Sequence, residues 1–225
     1  MVATFILIPG GGTDPWYWHR LVDELRRRGH EAVPVDLPCE DDEAGWVEYA
    51  DTVVAAIGDR TDVVLVAHSL AGFTAALVAD RLPVRLLVLL TAMVPVPGET
   101  GGDWWANTGH AAALAAQAAR DGRPAGEDVL ALFLDGVPDE LAAQVLRHDR
   151  AQSGTPFGQP WPLPAWPDVP TRFVLCRDDR FFPAEFVRRF VDDRLGIVPD
   201  EIDGGHLAAL THPRELADRL TAYLR

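Results

Sequence analysis

Val63-Val64-Leu65-Val66-Ala67-His68-Ser69-Leu70-Ala71-Gly72 is an apolar, β-branched run that ends abruptly on a serine set among small residues. Its length and composition suit a strand covered on both faces, and a helical stretch, Leu70 to Leu82, begins directly behind the serine. A strand turning so sharply into a helix strains the corner residue and projects its side chain clear of the sheet. The Ser69 hydroxyl then stands at a helix N-terminus, where free N–H groups and the dipole favour negative charge.

The usual form of such a nucleophile elbow is Gly-x-Ser-x-Gly, and here both glycines are alanines, Ala67 and Ala71. A methyl group is the smallest addition, and Gly72 still offers a site of close approach. An ordinary serine capping the next helix would give the same local pattern, so the reading depends on partners elsewhere in the chain.

Composition narrows those partners. At 225 residues and 48% hydrophobic, the chain can bury one sizeable core and reads as a single α/β domain. A formal net charge of −14 argues against nucleic acid or an anionic membrane as partner. Cys39 and Cys176 lie beside strand-like segments with no pairing pattern and read as reduced thiols in or near the core. Met1 to Ile8 has no basic n-region and is too short for a signal peptide, so a soluble cytoplasmic protein is expected. All 20 basic side chains are arginine. Without lysine there is no Schiff-base chemistry, no lysine-anchored pyridoxal phosphate and no P-loop lysine. The seven histidines are scattered, with no metal-ligand spacing, so no metal is expected.

Short apolar segments alternate with helical ones. Strands are expected at Thr4 to Ile8, Glu31 to Val35, Val63 to Ala67, Arg85 to Leu90, Arg172 to Cys176 and Ile197 to Ile202. Helices fit Tyr17 to Arg28, Trp46 to Ile57, Leu70 to Leu82, Ala184 to Asp193 and Pro213 to Leu224. This alternation implies a mostly parallel sheet covered on both faces, with ligands at the carboxyl ends of the strands. It is interrupted between Val94 and Pro170. That section holds helical stretches at Ala111 to Arg120, Glu127 to Leu134 and Asp139 to Arg150, and ends in a proline-rich run from Thr155 that is expected to be irregular. Placed after a strand's carboxyl end, an insertion over about 95–170 reads as a helical cap. It carries Trp104, Trp105, Trp161 and Trp166, so the space beneath it is expected to be apolar and aromatic, with Trp104, Trp105 and Trp161 as candidate substrate contacts. The same rings could instead pack the cap onto the core.

Two further loops follow strand ends. Asp178-Asp179-Arg180-Phe181-Phe182-Pro183 offers an acid, and Asp203-Gly204-Gly205-His206-Leu207 offers a base. A serine hydroxyl is a poor nucleophile near neutral pH, so it needs an imidazole, which in turn needs a carboxylate to fix its tautomer. His206 is the candidate base, with Gly204 and Gly205 letting its loop fold back. His212, at a helix start, is a weaker candidate, and His68 is expected to point away from Ser69. The oxyanion donors read as the N–H of Leu70 and a glycine of Pro9-Gly10-Gly11-Gly12-Thr13, with Gly11 the best candidate. Those glycines make a poor dinucleotide fingerprint, because Pro15 follows and no third glycine completes it.

Together these features resemble the α/β-hydrolase superfamily, and within it the small-cap group of plant methylesterases, cyanohydrin lyases and many bacterial esterases. The resemblance spans nearly the whole chain. It rests on Ile8-Pro-Gly-Gly-Gly-Thr-Asp-Pro-Trp-Tyr-Trp18, Val35-Asp-Leu-Pro38, Ala67-His-Ser-Leu-Ala-Gly72, Asp179-Arg-Phe-Phe-Pro183 and Gly204-Gly-His-Leu207. It implies a six-stranded parallel sheet, no cofactor, a triad of Ser69, Asp179 and His206, and oxyanion donors at Gly11 and Leu70. The departures are Ala67, Ala71 and Pro9, the last standing where the family commonly has histidine. Lyases of the group carry a lysine directly after the catalytic histidine, and here that position is Leu207. The resemblance therefore implies a carboxylic-ester hydrolase acting through a seryl acyl-enzyme on a small or medium apolar or aromatic substrate. A cofactor-free lyase or cyclase using His206 as general base, and a ligand-binding module on a hydrolase fold, are the alternatives. The expected partner is a small-molecule substrate, and the oligomeric state, a homodimer included, stays open.

Overall fold

The alternating apolar segments build one sheet. The computed structural model describes residues 2–124 and 126–225. Strands β1 (Thr4–Ile8), β2 (Glu31–Pro34), β3 (Val63–His68), β4 (Leu86–Leu90), β5 (Thr171–Cys176) and β6 (Asp200–Ile202) lie in the order β2-β1-β3-β4-β5-β6, every neighbouring pair parallel. The chain runs outward from β1 to β2, then crosses to the other side of β1 to form β3. Ile8 pairs with Ala67, so the glycine loop after β1 and the serine corner after β3 leave the sheet level with each other, at this switch point.

Side-chain alternation divides the core in two. Phe5, Leu7, Val64, Val66, Val88 and Leu90 face a layer containing α1 (His19–Arg27) and Leu216 and Leu220 of a C-terminal helix. Ile6, Ile8, Leu65, Ala67, Leu87 and Leu89 face α2 (Trp46–Ile57) and α3 (Gly72–Arg81). Between β4 and β5 run α4 (Gly101–Thr108), α5 (His110–Arg120), α6 (Val129–Phe133), α7 (Asp139–Arg147) and the one-turn α8 (Thr155–Gly158). After β5 come α9 (Ala184–Leu195), α10 (Ala208–Thr211) and α11 (Pro213–Ala222), the C-terminal helix. The segment between β4 and β5 is anchored near its start by Glu99, whose buried carboxylate takes the guanidinium of Arg194 on α9 and the amide of Asn107.

Several boundaries differ from the sequence-based expectation. The helix expected from Tyr17 begins as a 3-10 turn, Pro15–Trp18, because Asp14 caps Trp16 N–H and Pro15 fixes the first turn. The stretch from Leu70 likewise starts as a 3-10 turn, Ser69–Ala71. Residues 197–199 stay outside β6, since Pro199 has no N–H to give the ladder and Val198 is 90% exposed. The proline-rich run from Thr155 was expected to be irregular but opens with α8, where Pro156 sits in the first turn, the one part of a helix that tolerates it. Helix α4 was not anticipated, because Gly101 and Gly102 mask a start capped by Thr100, whose Oγ1 accepts Asp103 N–H at 2.9 Å. Cys39 and Cys176 are free and buried.

The start of α3 passes close against the segment that follows β4. A Cβ at Gly72 would lie 1.9 Å from the Met93 carbonyl oxygen, backbone that cannot turn aside. Gly72→Ala is therefore expected to destabilise the protein by about 3 kcal/mol or more in chemical denaturation, at the upper end of overpacking. A change below about 1 kcal/mol would show that the helix can lift away freely.

Candidate active site

Ser69 is the corner between β3 and α3, and it has a φ of +53°. A non-glycine residue rarely adopts this left-handed backbone, and holding it there costs about 1–3 kcal/mol. The corner is pinned from the segment beyond β4, where Met93 N–H donates to the Ser69 carbonyl at 2.9 Å. Behind it, Leu70 N–H precedes the first hydrogen-bonded turn. Neither it nor Gly11 N–H is taken up by an acceptor among the described residues.

His206 arrives from the loop after β6. Gly204 in that loop has a φ of +100°, and a Cβ there would sit 2.3 Å from His212 Nδ1, so the fold-back requires glycine. The His206 ring lies with Nε2 3.1 Å from Ser69 Oγ and Nδ1 2.8 Å from Asp179 Oδ2. Assigning the ring proton to Nδ1, facing the carboxylate, leaves Nε2 to accept from the serine hydroxyl. Asp179 and His206 are wholly buried, and Ser69 is 8% exposed.

Four donors converge on the Asp179 carboxylate. Oδ1 accepts the N–H groups of Phe181 at 2.9 Å and Phe182 at 2.8 Å, while Oδ2 accepts Thr91 Oγ1–H at 2.6 Å beside His206. Thr91, just past β4, has a φ of +37°, a strained value for a β-branched residue. The sequence reading missed it, although a polar residue closing the apolar run Leu86–Leu90 at its carboxyl end is a signal. Asp178 faces the other way, its Oδ2 accepting Gly204 N–H at 3.0 Å, and so ties the acid loop to the histidine loop.

His68 does turn away from the serine hydroxyl, but not out of the site. It stacks on Tyr17, with centroids 4.6 Å apart, and its Nε2 donates to the His206 carbonyl oxygen at 3.0 Å. Its Nδ1 has no partner among the described residues. Burial, and then the nearby His206, hold this imidazole well below the usual histidine range. Burial likewise pushes the Cys176 thiol well up, which keeps it a packing group.

A cavity of about 100 Å³, partly open to solvent, reaches Ser69 and His206. Gly10, Gly11, Leu130, Phe133 and Leu207 are among its walls. The expected aromatic contacts need correction here. Trp104 is fully buried, donates Nε1–H to the Val94 carbonyl and packs against Phe182, Phe186 and Phe190. Trp161 is buried with its Nε1–H on the Phe73 carbonyl, and Trp105 packs against Trp104, His110 and Phe181. None of the three lines this pocket. The ring that does is Phe133 of α6, 4.7 Å from the His206 ring centroid. In a sequence rich in tryptophan, a lone phenylalanine on a five-residue helix carried no distinguishing signal.

The model of the Alpha/beta hydrolase family matches residues 5–219. The chain belongs to this family. It is similar to a probable esterase, PIR7A, of Oryza sativa subsp. indica, with 29% identity over 96% of this chain and 94% of the relative. It also resembles polyneuridine aldehyde esterase of Rauvolfia serpentina, at 26% identity over 94% of this chain and 92% of that protein. Among solved structures, an extracellular alpha/beta-hydrolase from a Paenibacillus species, described as sharing structural and functional homology with tobacco Salicylic Acid Binding Protein 2, superposes with a TM-score of 0.79 at 19% identity, covering 98% of both chains. No helix among the described residues is long and apolar enough to cross a membrane.

The neutral state of buried His68 has a measurable consequence. The unfolded chain protonates this histidine near its ordinary value of about 6.5, whereas the folded protein does so only at lower pH. Below that value the unfolded state binds the extra proton, so stability falls with decreasing pH by up to about 1.4 kcal/mol per unit until the folded-state value is reached. His110, also lowered by burial, acts in the same direction. His68→Asn should flatten the dependence of unfolding free energy on pH below about 6.5, by up to one proton. An unchanged slope would mean that His68 is charged in the folded protein.

Proposed function

We propose that this protein is a serine-dependent carboxylic-ester hydrolase that passes through an acyl-enzyme on Ser69. The observation that carries the reading is the chain of contacts from Ser69 Oγ to His206 Nε2 at 3.1 Å and from His206 Nδ1 to Asp179 Oδ2 at 2.8 Å. Its esterase relatives support ester hydrolysis as the reaction type.

In the proposed first half-reaction, Ser69 Oγ bonds to the ester carbonyl carbon as its proton passes to His206 Nε2. The carbonyl electron pair moves onto oxygen, which the N–H groups of Gly11 and Leu70 receive. Asp179 steadies the imidazolium, and its four donors keep the carboxylate from rotating. The oxyanion collapses, the alcohol leaves with the proton from His206, and the acyl group stays on Ser69. Water then gives a proton to His206 and attacks the acyl carbon. The carboxylic acid departs and Ser69 regains its proton.

The segment between β4 and β5 acts as the cap in this reading, with Leu130 and Phe133 of α6 facing the acyl or alcohol group. A pocket whose walls are largely apolar around Leu130, Phe133, Leu134, Val145 and Leu207 suits a small neutral ester. Leu207 follows His206, so the lysine of the lyase-type sites has no counterpart.

A fluorophosphonate probe should label Ser69 and no other serine, and Ser69→Ala should abolish turnover of an aryl ester. Asp179→Asn should keep the fold and lower kcat by about three to four orders of magnitude, since an amide favours the wrong imidazole tautomer. Asp178→Asn should be mild. Strong loss in Asp178→Asn with a near-normal Asp179→Asn would transfer the role, and an unlabelled wild-type protein would end the nucleophile reading.

A further inference from the structure

The loop carrying Gly11 has three glycines in succession, so its backbone cannot fix its own donors. An oxyanion hole lowers a barrier only if its N–H groups are already aimed when charge develops. Something outside the loop must hold it, and the contacts identify what does.

The peptide unit joining Gly11 to Gly12 is bonded at both ends. Its carbonyl, Gly11 O, accepts Thr13 Oγ1–H at 3.1 Å, and its N–H, on Gly12, donates to Gln152 Oε1 at 3.1 Å. The next carbonyl, Gly12 O, accepts Arg150 N–H at 2.9 Å, and Thr13 bridges to Asp149. Gln152 is itself fixed, because Nε2 donates to Tyr49 Oη at 3.1 Å and to the Ser153 carbonyl at 3.0 Å. Turning the amide over would set Oε1 against that carbonyl, so only one orientation satisfies all three contacts. Tyr49 belongs to α2 in the core, and Ser153 N–H is held by the Cys39 carbonyl at 2.7 Å. The clamp therefore runs from buried scaffold to the oxyanion loop. Gln152 also packs tightly there: a Cβ at Gly11 would lie 3.3 Å from its Oε1.

We propose that Gln152 is a positioning residue, holding the Gly11–Gly12 peptide unit so that Gly11 N–H faces the substrate carbonyl oxygen beside Ser69. The inference rests on the reading of Gly11 and Leu70 as oxyanion donors. It assigns to the stretch after α7 a part in the chemistry beyond shaping the pocket, since Gln152 contacts the loop and never the reacting atoms.

The test is Gln152→Leu, which keeps bulk and removes both kinds of hydrogen bond. With a neutral aryl ester, kcat should fall about tenfold or more while KM stays within twofold, because the lost interaction acts on the transition state. An aryl trifluoromethyl ketone, which adds to serine as an oxyanion, should lose affinity by the same factor. The matching methyl ketone, which binds without forming the adduct, should not. Tyr49→Phe removes one of the two acceptors that orient Nε2 and should give a smaller loss with the same split, which keeps the test open if Gln152→Leu fails to fold. A Gln152→Leu kcat within twofold of wild type, or equal weakening of both ketones, would overturn the proposal. If Gln152→Leu does not fold, an unchanged kcat in Tyr49→Phe would do the same. A wild-type protein that neither turns over ester nor binds the trifluoromethyl ketone would instead bring down the esterase reading, and the clamp with it.

Discussion

Ser69 adopts a left-handed backbone because the chain must leave β3 and enter a helix within three residues, while the Met93 carbonyl occupies the space beside Gly72. That close passage sets where the hydroxyl points and where Leu70 N–H begins the helix. It also sets how near the ends of β3 and β4 come to the loops beyond them. The strain at the corner is offset by burial of α3 between the sheet and its helical neighbours, with Phe73, Leu77 and Val78 all in the core. A glycine at 67 or 71 is not needed here, because Ala67 and Ala71 are accommodated within the core while the tightest contact falls one residue later.

The second organising element is the buried acid and base. Taking a carboxylate and an imidazole out of water is costly unless each is hydrogen-bonded, and here both Asp179 and His206 are. Thr91 and two backbone N–H groups hold Asp179, while His68 and Asp178 hold the loop that delivers His206. These supports come from the ends of β3, β4 and β5, so the sheet itself fixes the geometry. A site built this way needs little reorganisation when charge develops.

Much of this was legible in the chain. The apolar run ending at Ser69, the paired glycines before His206 and the Asp-Asp loop each sit at the end of a recognisable strand, and strand ends of a parallel sheet converge. What escaped was whatever depends on distant packing. Gln152 and Phe133 carry no local pattern, and Thr91 shows only as a polar residue closing an apolar run; their roles come from partners 140, 73 and 88 positions away. Tryptophan misled for a related reason: its size makes it a natural core filler, and Trp104 and Trp161 spend their N–H groups on backbone carbonyls inside the core. The short β6 was obscured because apolar Ile197 and Val198 look like strand, while Pro199 prevents it.

The central claim is that ester cleavage proceeds through a covalent bond to Ser69. It is tested most directly by mixing the protein rapidly with an activated aryl ester, following alcohol release in the first turnover, and measuring the intact mass of acid-quenched samples. The account predicts a burst of one alcohol per active site, with the acyl mass added to a peptide containing Ser69. Steady ester turnover with no burst and no acylated protein at any time, under conditions where an independently formed Ser69 acyl-enzyme survives the quench and outlives the first turnover, would contradict it.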